Sequence, residues 1–372
     1  MTVARRQIGF TAAALSFAFF SGCGSSSDLP ENPQLFVAGR DGSGLRQLTH
    51  GDRFHGAAAW SPDGRLIASR VSSVRHKDGE YIPTPGAIEV IAVGGSRTRL
   101  LRAGGSASSP AWQHEGRRLA FLSRRGPLEA RTTIVVMSLG ARVLKRTPIG
   151  LVTPDVAWSP DGGTLAFVRG TGAVRVPTSR PGRSRARPKA PSRIGPEPDI
   201  FLIRSNGGGE RRLTRSAAEE NDVAWSRDQK TILFVRGRGR SLWRVSRDGT
   251  GLRRLAGRLI IAFPASPSGR RVVLGAVTVR GDRRFHLYSL SASGGPPRAL
   301  TGEVGTQPAA WSPDGGLIAF VNGEGDAVMV MRPDGADQHT IARVPGAEIH
   351  DLSWSPDGRR LAFTASRKPR ET

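Results

Sequence analysis

Short apolar runs recur along the chain, each just after a polar turn. Leu165-Ala166-Phe167-Val168 and Leu361-Ala362-Phe363 are typical, apolar at consecutive positions rather than alternating. A run this short reads as a strand, and apolar residues on both faces place it between neighbouring sheets. The turn is Ser-Pro-Asp-Gly, intact at 61–64, 159–162, 312–315 and 355–358. Pro presets φ at the second position, Asp bonds its local backbone and Gly accepts positive φ, so the tetrapeptide predicts a tight hairpin. A tryptophan precedes each copy. Six of the seven tryptophans (Trp60, Trp112, Trp158, Trp225, Trp311 and Trp354) stand in this context, with degenerate turns at 113–116 and 226–229. A seventh copy, Ala265-Ser266-Pro267-Ser268-Gly269, lacks the tryptophan. From residue 60 to residue 354 the anchors are spaced by about 49 residues, which is repeat-protein spacing.

A second hairpin recurs between the anchors: a strand, a Gly-rich turn and an Arg-Leu-Thr-like strand, as in 35–49, 200–214 and 242–255. Each unit is therefore four short antiparallel strands, with no amphipathic helix beyond the N-terminal segment. Units of this size are what a β-propeller stacks around its axis. The chain opens with a second hairpin (35–49) and closes with a first one (352–365), so the two ends should complete one blade. The expectation is an all-β, seven-bladed propeller closed by pairing of its N- and C-terminal strands, which hides edges that would invite aggregation.

The pattern Trp-Ser-Pro-Asp-Gly-x-x-(Ile/Leu)-Ala resembles the TolB-like propeller repeat, related to the WD-repeat class, over residues 34 to about 366. TolB itself has six such blades and a separate N-terminal domain; seven anchors are counted here, without that domain. The resemblance implies the fold and a structural role for the motif, with tryptophans filling space between blades.

Residues 1–22 read as a signal peptide: Arg5 and Arg6 precede the uncharged run from Ile8 to Phe20, too short to span a bilayer. Phe20-Ser21-Gly22-Cys23 resembles a lipobox, and Cys23 is the sole cysteine. The expectation is an exported protein, lipid-anchored through Cys23 to the outer face of the cell membrane or in the periplasm. Residues 23–33 would be its tether, 34–366 the propeller and 367–372 a tail. The export route, Sec or twin-arginine, is left open. One cysteine excludes an internal disulfide and a Cys-based zinc site.

The net charge is +24, and 50 of the 55 basic residues are arginine. That balance favours anionic surroundings. Residues 170–198 carry seven basic residues against Glu197, and six prolines, which predicts a disordered basic insertion for anionic polymers or lipid headgroups. No aromatic residue interleaves its arginines for base stacking, so nucleic acid is the poorer fit.

Chemistry leaves little trace. No serine carries the flanking glycines of a nucleophile elbow, and with seven residues after Ala365 the expectation is that no hydrolase domain follows. His50, Asp52 and His55 sit close in sequence but read as turn residues. Asn206-Gly207-Gly208-Gly209 lies in a hairpin without the helix of a phosphate cradle. No catalytic residue, metal or cofactor is assigned. Positions three to five before each tryptophan should ring the channel mouth: His55, Ser108, Asp155, Asn221, Asp222, Gln307, His350 and Asp351, interrupted by Ile261-Ala262. These could hold a cation, a sugar or a basic segment of a partner, with His55 and His350 making the site sensitive to pH near 6 to 7. The reading is a binding or scaffolding module of the cell envelope, with an envelope protein among its partners. The alternative is an extracytoplasmic propeller-type polysaccharide lyase or glycosidase.

Overall fold

The computed structural model describes Asn32 to Arg367, apart from 78–79, 96–97, 114, 126–131, 151, 170–197, 227, 238–240, 258–260, 266–269, 278–284, 292–293, 303 and 305–308. Cys23, the signal segment, the tail after Arg367 and nearly all of the basic insertion lie outside those residues.

Seven four-stranded antiparallel sheets form the seven blades, and no helix occurs among the described residues. Blade 1 runs from Phe54–Trp60 through Leu66–Ser72 and Ala87–Ala92 to Thr98–Leu101, innermost strand first. Blades 2 to 6 repeat this order, with innermost strands Ser106–Trp112, Val152–Trp158, Glu220–Trp225, Ile261–Ala265 and Ala310–Trp311. Blade 7 takes its inner pair, Ala347–Trp354 and Arg360–Arg367, from the end of the chain and its outer pair, Gln34–Gly39 and Arg46–Gln47, from the start. Gln34 faces Ala365 and Gly39 faces Arg360, so the ring closes as the sequence implies. A hairpin that the repeat pattern does not contain, Val74–Lys77 with Glu80–Pro83, extends blade 1 between its second and third strands.

The Ser-Pro-Asp-Gly turns are built alike. In the first, Ser61 Oγ donates to Asp63 Oδ1 at 2.5 Å and accepts the Leu66 amide at 2.9 Å, while the Gly64 amide closes the turn on the Ser61 carbonyl. Gly64 sits at φ 67°, the left-handed region that glycine enters without strain. The degenerate copy keeps this backbone with Gln229 at φ 60°.

The core lies between blades. Trp60 packs with Ile67 and Ile91 of its own blade and with Leu35, Val37 and Ala362 of blade 7. Its indole N–H donates across the same junction to the Ser353 carbonyl at 2.9 Å. Trp112, Trp225 and Trp354 do the same to Ala59, Ala157 and Ala310, and Trp158 to Ser109. Each tryptophan thus fills an inter-blade gap and satisfies its polar atom there, which buried indoles require. Trp158 and Trp311 are only half-buried, and the Trp311 indole N–H has no partner among the described residues.

The Arg-Leu-Thr strands carry a second repeated lock. Thr49, Thr214 and Thr301 each accept, on Oγ1, the amide of the residue fourteen positions earlier: Leu35, Ile200 and Leu287.

Candidate functional site

Six of the seven innermost strands begin at one face of the ring and end at a tryptophan on the other face; that of blade 5 ends at Ala265. Before the tryptophan the pairing slips. Gly56 faces Arg70, but the next pair is Ala59 with Ala68, so two residues oppose one. The same β-bulge follows Ser108, Asn221 and His350. Its first residue stands three before the tryptophan and is left-handed in four blades: Ala57 (φ 51°), Ser109 (φ 50°), Asp222 (φ 52°) and Asp351 (φ 49°). None is glycine, so each carries a backbone cost of about 1–2 kcal/mol. Bulges of this kind re-aim side chains and gather at rims and sites.

The expected mouth residues separate by position. Four before the tryptophan, Ser108, Asn221 and His350 are half-buried, and three before it so are Asp222 and Asp351. The position five before it is buried in every described blade with a tryptophan: His55, Ala107, Glu220 and Ile349. Asp155 lies on its strand with its side chain outside the described residues, and Gln307 is outside them altogether.

His55 therefore departs from the expectation. Its side chain is 2% exposed, with Nε2 3.7 Å from Glu89 Oε2, and Arg53 covers the same carboxylate at 3.1 Å. Burial, reinforced by the Arg53 charge, pushes the imidazole down to about 4, away from the expected range of 6 to 7. Its Nδ1 is buried without a partner among the described residues. In blade 4 the same position holds Glu220, fully buried, with Arg236 Nε 2.9 Å from Oε1 and Thr214 Oγ1 bonded to Oε2. Burial pushes that carboxyl up despite both partners. Sequence counting missed these inward positions because the strand alternates faces before the bulge, a period of two that the window of three positions ignores.

At the mouth, Asp351 Oδ2 accepts the Ala57 amide at 3.1 Å and approaches Thr364 Oγ1 at 3.4 Å. Arg70, whose charge burial disfavours and Asp351 favours, faces Gly56 in the same seam. His350 Nε2 lies 3.2 Å from Ser366 Oγ. Asn221 and Asp222 belong to blade 4, across the ring from blade 7. The mouth therefore presents amide, hydroxyl, imidazole and carboxylate groups from several blades. No cluster of three His, Cys, Asp or Glu side chains suited to a metal occurs among the described residues.

A family profile describing the WD40 domain of anaphase-promoting complex subunit 4 matches residues 309–368, blade 6 and the inner pair of blade 7. Dipeptidyl-peptidase 5 of Porphyromonas endodontalis is 33% identical over 115 residues, 28% of this chain and only 16% of the peptidase. A solved oligogalacturonate lyase in complex with manganese superimposes with a TM-score of 0.62 at 15% identity, covering 92% of this chain and 98% of that one. TolB from Acinetobacter baumannii aligns at 17% identity and a TM-score of 0.46, over 79% of this chain and 63% of TolB. The propeller is WD-repeat-like. At 15% identity the likeness to the lyase speaks to the fold alone.

Proposed function

We propose that this chain is a binding module of the cell envelope that takes a ligand or partner segment at the channel mouth. The reading is carried by the recurring left-handed bulge, which holds Asp222 and Asp351 in a strained conformation at equivalent points of opposite blades. Such strain clusters at binding sites, and convergent polar groups at a concave opening are the default site in this architecture. The test places a photocrosslinking residue at Ser108 in intact cells. Specific adducts that disappear with Asn221→Ala or His350→Ala, while folding is retained, support the reading. Adducts equally abundant from a turn-face position such as Arg65 count against it.

The same reading has the protein exported and held by a lipid on Cys23. Ten residues, 24–33, reach at most about 35 Å, so the propeller would stay near the bilayer. Cys23→Ala then moves the protein from the membrane fraction to the soluble fraction, and unchanged partitioning removes the anchor.

A further inference from the structure

Blade 2 carries a second polar concavity, on its second, third and fourth strands. Its walls are Ser123, Arg125, Thr133, Arg146 and Pro148. These residues share one face of the sheet: Ser123 pairs with Thr133, Thr133 with Pro148, and Arg125 and Arg146 stand two residues beyond Ser123 and before Pro148. That face looks onto the connection 102–105 from blade 1.

Both guanidinium groups are fixed there by backbone. Arg125 Nε donates to the Gly104 carbonyl at 2.8 Å, and Arg146 Nη1 to the Ala103 carbonyl at 3.0 Å. The glycines of this connection leave the space: a Cβ on Gly104 would stand 2.7 Å from Arg125 Nη2, and one on Gly105 would stand 2.8 Å from Ser123 Oγ. Among the described residues, neither arginine meets a carboxylate, and no acidic side chain lines the concavity. Arg125 and Arg146 are exposed at its rim, whereas Arg212 lies against Asp199 and Arg236 against Glu220. Among the described residues, two convergent forks beside two hydroxyls form a donor set that meets backbone carbonyls and no side-chain acceptor.

We infer that this concavity is an oxyanion subsite that takes a phosphate group. Arginine forks match phosphate oxygens two at a time, and the Ser123 and Thr133 hydroxyls add donors for the remaining ones. Holding the guanidinium groups on carbonyls in advance removes part of the ordering cost of binding. The site is independent of the channel mouth, so either reading can fail without the other.

The experiment titrates the folded chain with inorganic phosphate by calorimetry, comparing the wild type with Arg125→Gln/Arg146→Gln. A control, Arg65→Gln/Arg117→Gln, removes the same charge from the opposite face. Saturable binding weakened at least tenfold in the pocket variant alone, with an unchanged melting temperature in phosphate-free buffer, is the expected result. Ser123→Ala, which keeps every charge, should weaken binding several-fold. No saturable binding, or equal losses in pocket and control variants, overturns the assignment. A parallel arm uses phosphatidylglycerol vesicles. If they displace inorganic phosphate, the group belongs to a lipid headgroup; if phosphate binding persists in their presence, the site takes a free phosphate.

Discussion

The Asp351 carboxylate accepts the Ala57 amide at 3.1 Å across the junction of blades 7 and 1, and both residues are left-handed bulge residues. One side chain thus serves two blades: it holds its own bulge and satisfies the bulge of the next. Asp351→Ala should destabilise the fold by about 1–3 kcal/mol, because an amide at the seam loses a charged acceptor. Asp351→Asn keeps an acceptor and tolerates the left-handed backbone, so it should cost less than about 1 kcal/mol. Urea midpoints measure both, and equal losses in the two variants would rule out the bond. Binding experiments at the mouth should therefore use Asp351→Asn rather than Asp351→Ala.

Trp60→Phe separates the two tasks of the repeat tryptophans. Phenylalanine keeps most of the buried ring between Leu35, Ile67 and Ala362 but gives up the N–H donated to Ser353 and the Arg360 guanidinium stacked 5.2 Å from the indole. The expected cost is about 1–2 kcal/mol. Trp60→Ala should cost about 3–5 kcal/mol through the cavity it leaves. Trp311, half-buried and with an N–H unpartnered among the described residues, should lose measurably less on conversion to Phe.

His55 makes stability depend on pH in a defined direction. Its folded pKa is about 4 against an ordinary 6.5, chiefly from burial. Below 6.5 the unfolded chain binds the proton first, so stability falls as pH drops from about 6.5 towards 4 and levels off below that. The loss from this one group is at most about 3 kcal/mol. Subtracting His55→Gln from the wild type, in denaturation series between pH 7.5 and 3.5, isolates it. A difference that stays constant over this range would show that His55 does not titrate there.

The fold was legible because its signals are local and repeated. Six tryptophans, a turn tetrapeptide and a continuous apolar strand gave the blades, and the order of hairpins at the two ends gave the closure of Gln34–Gly39 on Arg360–Arg367. The mouth was legible only in part. Nothing in Ala57, Ser109, Asp222 or Asp351 marks a positive φ, since glycine is the usual sign and none is present. His55 shows the consequence: one position from the half-buried Gly56, it turns into the blade against Glu89. The extra hairpin of blade 1 did have a signal in Asp78-Gly79, a two-residue turn pair between Val74–Lys77 and Glu80–Pro83. The repeat pattern overshadowed it.

The preference for arginine over lysine has a structural use at the rim. The outermost strands place Arg46, Arg99, Lys145, Arg211, Arg253, Arg298 and His339 at one equivalent register position, all exposed. Three of these reach the next blade: Arg46 donates to the Val93 carbonyl, Arg99 to Leu139 and Arg211 to Arg247. Each spans a blade junction and ends on a turn backbone, a task that suits a planar fork on a long stem. It also places charge on an edge strand, which discourages edge-to-edge pairing. If the bonds matter and not only the charge, the triple replacement Arg46→Lys, Arg99→Lys and Arg211→Lys should lower stability by about 0.5–1 kcal/mol per site. Solubility should not change, because the edge stays charged. The corresponding triple glutamine variant should lose stability to a similar extent and also aggregate on heating. Thermal melts with light scattering read both quantities together. If the lysine triple melts with the wild type, the rim arginines act through charge alone.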